Sequence, residues 1–172
     1  MTARGRAFDR GDYRRRHSGT PSVGILWPID RASIHRLGES IMLHRRGTGE
    51  KHDGLDIFCP AGSPVFAAFG GTVLQIVDGR FALRSETRRA GLFADIEGFD
   101  GRVYRYLHLG SILIRPHQRV LRGEQLGDVA PAFTSGLGDD PHLHFEIRDG
   151  GIVHHKYAPP IDPLTLLPAF RA

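Results

Sequence analysis

The stretch PHLHFE, residues 141–146, is the most informative part of this sequence. If it forms a strand, Leu143 and Phe145 enter the core, because successive side chains on a strand point to opposite faces. His142 and His144 then share the other face, with Cα atoms roughly 6.6 Å apart, and can look into one cleft. A His-x-His pair alone is a weak signal, since two surface histidines give the same pattern.

A second pattern, HDGLD at residues 52–56, places His52 and Asp56 four residues apart. A fully extended strand would separate their Cα atoms by roughly 13 Å, whereas donor atoms about 2 Å from one zinc ion lie within about 4 Å of each other. The chain must therefore bend between them, and Gly54 permits such a bend. The apolar residues that flank Asp56 indicate the start of a buried strand.

A third histidine, His108, lies in YRYLHLG at the end of a strand-like run. One histidine on a strand is usually structural, but the three patterns together offer zinc two nitrogens and an oxygen. The open fourth position that remains is typical of a catalytic zinc site rather than a structural one. Glu146 lies roughly 6.6 Å beyond His144, which favours a hydrogen-bond partner of a ligand or a surface ion pair over a general base.

The rest of the chain has the pattern of a mostly β protein with little helix. Turn signals separate short β-branched or aromatic runs that are interpreted as strands: VFAAF, GTVLQIV, GRFALRS, GLFADIE, GRVYRYLHL and HLHFEIRDG. Residues 30–43 allow either a short helix or an irregular segment, and residues 86–95 look charged and irregular. The proline-rich stretch at 157–170 is expected to lie extended over the core, held by its Leu and Phe side chains.

Composition limits the number of domains and the class of protein. A chain of 172 residues with 40% hydrophobic content can bury one core. The single cysteine, Cys59, excludes an internal disulfide. No apolar run is long enough to span a membrane, and the N-terminus lacks the apolar stretch of a signal peptide. We expect a monomer with a basic tail at 1–20, a lead-in at 21–50, the main domain at 51–165 and a C-terminal tail at 166–172.

The net charge of +4 comes largely from the first 16 residues, where RGR and RRR occur. Such an arm can bind nucleic acid or an anionic surface, but a solvated tail is the commoner case. No nucleic-acid recognition motif accompanies it, so we expect no nucleic-acid partner.

Several of these motifs together resemble a known family. HDGLDI, GSPVFAAFGGTV, YRYLHL, GEQLG and PHLHFEIRDG have the order and spacing of the lysostaphin-type, LytM-like zinc metallopeptidases, and the similarity covers about residues 45–165. The resemblance implies an antiparallel β-sheet core with a groove over the sheet. It also implies that zinc is the cofactor, with His52, Asp56 and His144 as ligands and His108 and His142 as catalytic residues.

The resemblance also implies a biological role. Members of this family commonly cut peptide cross-links of bacterial peptidoglycan, which implies a peptidoglycan peptide substrate and a location in the cell envelope. Some members instead bind peptidoglycan or activate an amidase without catalysis, after losing ligands. All five family positions are present in this chain, which favours the zinc-dependent endopeptidase over the non-catalytic module.

Overall fold

The structure is a computed structural model that describes residues 24–38, 40–41, 52–150 and 158–170. The expected basic tail at 1–20 and much of the expected lead-in lie outside the described residues. No helix in the described ranges is long and apolar enough to cross a membrane.

Within the described ranges, ten strands join in one sheet whose pairings are all antiparallel. The strands are β1 (Arg36–Leu37), β2 (Leu55–Phe58), β3 (Pro64–Phe66), β4 (Gly71–Asp78), β5 (Leu92–Gly98), β6 (Val103–Ile112), β7 (Arg119–Val120), β8 (Gln125–Val129), β9 (His142–Arg148) and β10 (Pro160–Ile161). The main order is β1-β2-β9-β6-β5-β4-β7, while β8 pairs with β3 and β6, and β10 pairs with β9. The predicted fold class is thus confirmed.

The central position of β9 follows from its sequence. Leu143, Phe145 and Ile147 alternate along it and are 0% exposed, so this face lies in the core. Tyr106 of β6 is also 0% exposed and packs against Phe145 with ring centroids 5.3 Å apart. The alternation of HLHFEIR therefore turns its histidines toward the opposite face of the sheet.

Segments before and after the sheet complete the core. Trp27 is buried, donates a hydrogen bond from Nε1 to the carbonyl of Pro168 at 2.9 Å, and packs against Phe170 at 5.3 Å. Leu167 is buried as well, so the C-terminal segment docks through Leu and Phe side chains as its sequence indicates. The expectation that it is extended throughout is wrong, because a 3₁₀ helix at Pro163–Thr165 follows β10. Residues 30–43, which the sequence left open, contain a 3₁₀ helix at Arg31–Ser33 followed by β1.

One expected strand is wrong. GRFALRS instead forms a 3₁₀ helix at Gly79–Phe81, and the helix α1 follows at Ser85–Ala90. The Asp78 side chain accepts a hydrogen bond from the backbone N–H of Arg80, which turns the chain out of β4. The expectation of an irregular segment at 86–95 is also wrong, because it holds most of α1 and the start of β5.

Candidate metal centre and cleft

Three of the predicted site residues meet in one buried cluster. His52, Asp56 and His144 each offer a ligand atom, and these atoms all lie within 4.8 Å of one another. The Oδ1 atom of Asp56 is 3.1 Å from Nε2 of His52 and 2.8 Å from Nδ1 of His144. Strand register explains the second contact, because Asp56 on β2 is directly opposite His144 on β9.

Gly54 allows the contact between His52 and Asp56 because its lack of a side chain lets the turn lie close to β9, and not because its φ angle is positive. A Cβ atom built on it would lie 2.5 Å from the carbonyl oxygen of Phe145 and 2.8 Å from Nε2 of His144. The turn that joins His52 to β2 therefore presses directly on β9. Any side chain at this position would push the turn away from the metal-ligand cluster.

The two predicted catalytic histidines line the same cleft as this cluster. The Nε2 atom of His142 is 3.7 Å from Oδ1 of Asp56. The ring of His108 lies 5.0 Å from that of His142 and 6.0 Å from that of His144, measured between centroids. The structure thus brings all five predicted positions together.

His108 reaches the cleft because of a β-bulge that the sequence did not reveal. Tyr106 pairs with Phe145 and points into the core, and Leu107 pairs with His144 on the cleft side. Strict alternation would return His108 to the core, but its φ of 64° and a register shift between β5 and β6 turn it to the cleft. Bulges next to functional sites often redirect a side chain in this way.

Each imidazole is oriented by a hydrogen bond on the nitrogen that faces away from the site. For His52, His108 and His142 that nitrogen is Nδ1, and its partners are backbone carbonyl oxygens at 2.9–3.0 Å. The three carbonyls belong to Ser40, Ser135 and Asp140. Their Nε2 atoms are consequently the ones available to the site.

His144 is oriented the other way round. Its Nδ1 faces Asp56, and its Nε2 lies 3.2 Å from Oε1 of Glu146. Glu146 is 4% exposed and also bonds to two arginines, Arg105 and Arg148. Of the two roles that the sequence allowed for this residue, the structure therefore shows the partner of a candidate ligand and not the surface ion pair.

Burial and charge give these groups unusual acidities. Burial alone would lower the pKa of His144, but its hydrogen bonds to Asp56 and Glu146 raise that pKa to about 9. Burial opposes ionisation of Asp56 as well, yet hydrogen bonds with His144 and His52 hold the pKa of this carboxyl well below its usual range. In the metal-free protein His144 is therefore protonated at pH 7, and the carboxylates of Asp56 and Glu146 stabilise its positive charge.

His108 differs, because burial and the neighbouring His144 and His142 lower its pKa to about 3. Its imidazole is consequently neutral at pH 7 and can accept a hydrogen bond at Nε2.

The donor set fits zinc. Two imidazole nitrogens and one carboxylate oxygen are ligands that zinc prefers, and both histidines of the set, His52 and His144, line the cleft. Buried carboxylates also outnumber buried guanidinium groups in the described ranges, with Asp56, Asp95 and Glu146 against Arg105 and Arg148. In the metal-free protein the proton on His144 balances this difference, so a bound cation would take the place of that proton.

The cleft has a volume of about 820 Å³. Its floor carries the histidines together with Arg105 and Arg148, and one wall is formed by α1 and by the loop that contains Gly136. A Cβ atom on Gly136 would lie 2.0 Å from the carbonyl oxygen of Arg89, so this loop and α1 touch through their backbones. The loop and α1 therefore form one continuous wall of the cleft.

Buried histidine and carboxylate donors beside further imidazoles in an open cleft are typical of zinc-dependent hydrolases. Residues 50–159 match Peptidase family M23, and the chain belongs to this family. The match confirms the resemblance drawn from the motifs.

Individual relatives agree with this assignment. The chain is 35% identical to the cell division protein DipM of Caulobacter vibrioides, over 84% of this chain and 21% of DipM. It is 31% identical to the peptidoglycan DD-endopeptidase ShyA of Vibrio cholerae, over 56% of this chain and 20% of ShyA. The crystal structure of a zinc-containing peptidase from Vibrio cholerae superposes with a TM-score of 0.61 at 27% identity, covering 81% of this chain and 39% of that one. The chain thus corresponds to about a fifth of the length of these two curated relatives.

Some residues that hydrogen-bond to the site residues, or to their partners, were not predicted from the sequence. Ser135 holds His108 through its carbonyl oxygen, and Arg105 and Asp95 form a buried ion pair beside Glu146. A signal existed for the ion pair, since Asp95 and Arg105 each lie between apolar or aromatic neighbours in strand-like runs. Ser135 gave no such signal, because its role depends on how the loop folds.

Proposed function

We propose that this protein is a zinc-dependent endopeptidase that hydrolyses peptide bonds in peptidoglycan cross-links within the cell envelope. The observation that carries the proposal is the convergence of His52, Asp56 and His144 donor atoms at the floor of a cleft lined by His108 and His142. The similarity to ShyA, a named peptidoglycan DD-endopeptidase, supports the substrate class.

In this proposal the metal is held by Nε2 of His52, Oδ1 of Asp56 and Nδ1 of His144. Zinc bound there would polarise the scissile carbonyl and lower the pKa of a coordinated water to about 7. The role of the protein is to fix the donor atoms and to keep Asp56 ionised, which its contacts with the two histidines achieve.

The second part of the proposal concerns proton transfer. His108 is neutral and presents Nε2 to the cleft, so it can accept a hydrogen bond from the attacking water and orient it. His142 also presents Nε2 near Asp56, and in its protonated form this atom can donate a hydrogen bond to the developing oxyanion or a proton to the leaving amine. The backbone carbonyls behind both rings prevent them from turning away.

The first experiment measures bound zinc and loss of turbidity of a cell-wall suspension for the wild type and three alanine variants. We expect about one zinc per chain, and loss of both zinc and lysis in His52→Ala, Asp56→Ala and His144→Ala. His35→Ala serves as a control, because His35 is exposed, and it should retain both properties. Absence of zinc from the wild type, or full activity of His144→Ala, would refute the proposal.

The same experiment separates the enzyme from a non-catalytic module. DipM is named only as a cell division protein, so similarity to it does not decide between the two. His108→Ala and His142→Ala should keep zinc but lose hydrolysis, since neither residue is a proposed ligand. A wild-type protein that binds zinc and peptidoglycan fragments without cleaving them would favour the module.

A further inference from the structure

A row of charged and polar side chains crosses the sheet next to the candidate metal centre. Gln75, Asp95, Arg105 and Glu146 lie on adjacent strands β4, β5, β6 and β9, and each is directly opposite the next. We call these four residues the cross-strand row. Because directly paired residues point to the same face, the row shares the sheet face of His144, two residues further along β9, and its members Arg105 and Glu146 line the cleft.

Hydrogen bonds join the row from end to end. Gln75 donates to Oδ2 of Asp95 at 2.6 Å, and Arg105 donates from Nε to Oδ1 of Asp95 at 2.8 Å. Arg105 also reaches Oε2 of Glu146 from Nη1 at 3.3 Å. Asp95 is 0% exposed and Arg105 is 6% exposed, so the row is shielded from water along most of its length.

The two oxygens of Glu146 have different partners. Oε2 accepts hydrogen bonds from Arg105 at 3.3 Å and from Nε of Arg148 at 2.8 Å. Oε1 remains directed at Nε2 of His144, 3.2 Å away. The two guanidinium groups therefore fix the plane of the carboxylate so that one oxygen is reserved for the imidazole.

Burying a network of charges costs free energy, which points to a functional role for this one. Taking charges out of water is expensive, and well-packed apolar residues in place of a buried ion pair are often as stable or more so. The other three site histidines are oriented by backbone carbonyls, which no substitution of a side chain removes. The nitrogen of His144 that faces away from the site is held instead by a side chain, the carboxylate of Glu146.

We propose that Glu146 and Arg105 are positioning residues of the metal centre, which act through the cross-strand row to fix the ring of His144 with Nδ1 toward Asp56. Arg105 acts through Glu146 and does not touch the donor atoms. This inference rests on the proposed function, because the orientation matters only if His144 holds a metal.

Zinc affinity, measured by competition with a chromophoric chelator, tests the proposal. Glu146→Gln keeps the shape of the side chain but removes the charge that both arginines bind, and we expect zinc affinity to fall about tenfold to hundredfold. Glu97→Gln is the matched control, since Glu97 is an exposed residue of β5, and its affinity should stay within about twofold of wild type. The double variant Asp95→Asn with Arg105→Gln removes the adjacent ion pair as a unit. It should lower zinc affinity less than Glu146→Gln does.

Circular dichroism and urea unfolding establish that each variant is folded before its affinity is compared. If Glu146→Gln does not fold, Glu146→Asp replaces it, because the aspartate keeps the charge but withdraws the oxygen from His144. A folded variant of either kind that binds zinc within about twofold of wild type would overturn the proposal.

Crystals of the metal-free protein separate this inference from the proposed function. In wild type the His144 ring should have one orientation, with Nε2 against Glu146. In Glu146→Gln it should turn or adopt a second orientation. An unchanged ring would overturn the inference even if wild type binds zinc, whereas lack of zinc binding by wild type refutes the proposed function.

Discussion

Ser135→Ala should weaken both the stability of the fold and the activity of the site. Ser135 is 5% exposed, and its hydroxyl donates to the carbonyl of Leu109 at 2.7 Å and accepts from the N–H of Leu92 at 2.8 Å. Leu92 and Leu109 are paired residues of β5 and β6, so the hydroxyl bridges the two strands beside the bulge at His108. The carbonyl of the same serine accepts a hydrogen bond from Nδ1 of His108 at 2.9 Å.

Alanine at this position leaves a buried N–H without its partner, which costs about 1–3 kcal/mol, and removes a second hydrogen bond worth about 1 kcal/mol. The expected loss in the free energy of unfolding is therefore about 2–4 kcal/mol. For a chain of this size each kcal/mol lowers the melting temperature by about 2–4 °C, so a decrease of about 4–16 °C should follow.

Thr134→Ala provides the comparison, because Thr134 precedes Ser135 in the loop and its exposed hydroxyl bonds only locally, to the carbonyl of Pro131. Its substitution should change stability by about 0.5 kcal/mol or less. Urea unfolding measures both variants, and chelator competition should show that neither alters zinc affinity. Hydrolysis by Ser135→Ala should fall at least about tenfold, since the loop that holds His108 is loosened. Equal stability of the two variants would refute the reasoning.

Three further predictions concern the metal centre. Gly54→Ala should lower stability by about 1–3 kcal/mol through overpacking and should weaken zinc binding, because its Cβ would meet β9. Gly24→Ala, where the added atom meets nothing within 4 Å, should do neither, and urea unfolding with zinc titration compares the two. Saturating zinc at about a hundred times its dissociation constant should raise the free energy of unfolding by about 2.7 kcal/mol, measured as a higher melting temperature that a chelator reverses and that Asp56→Ala lacks. The metal-free protein should lose stability at both ends of the pH range, as followed by urea midpoints. The pKa of His144 rises from 6.5 to about 9, so its contribution is complete below pH 6.5 and is lost as pH rises through 9, whereas the pKa of Glu146 falls from 4.5 to about 2, so its contribution is lost as pH falls from 4.5 toward 2. A flat profile between pH 7 and 9 in the absence of metal would contradict the assignment for His144.

The parts of the fold that the sequence predicts are those with strict local patterns. HLHFEIR alternates without interruption, and its apolar and polar faces are the observed core and cleft faces. The bulge at His108 and the 3₁₀ helix at Gly79–Phe81 break the local pattern, and both depend on neighbours distant in sequence. Alternation alone would have placed His108 in the core, and the expectation that it belongs to the site came from the family resemblance.

Gly54 shows how a correct expectation can rest on an incomplete reason. The sequence suggested that the residue allows the chain to bend between His52 and Asp56. The structure shows that the absence of a side chain matters because β9 lies within van der Waals distance. A bend is a local property and can be read from four residues, whereas a close approach depends on which strand becomes the neighbour.

The cross-strand row is the clearest case of information that appears only with strand register. Asp95 and Arg105 are ten residues apart, and Glu146 follows 41 residues after Arg105, so no local pattern links them. A shift of one residue between β6 and β9 would turn Arg105 to the opposite face from Glu146 and break the buried contact between them. The energetic cost of that arrangement makes the row a constraint on register as well as a support for His144. The charges that we propose to orient His144 therefore also favour the register of β6 and β9 in which Arg105 lies opposite Glu146.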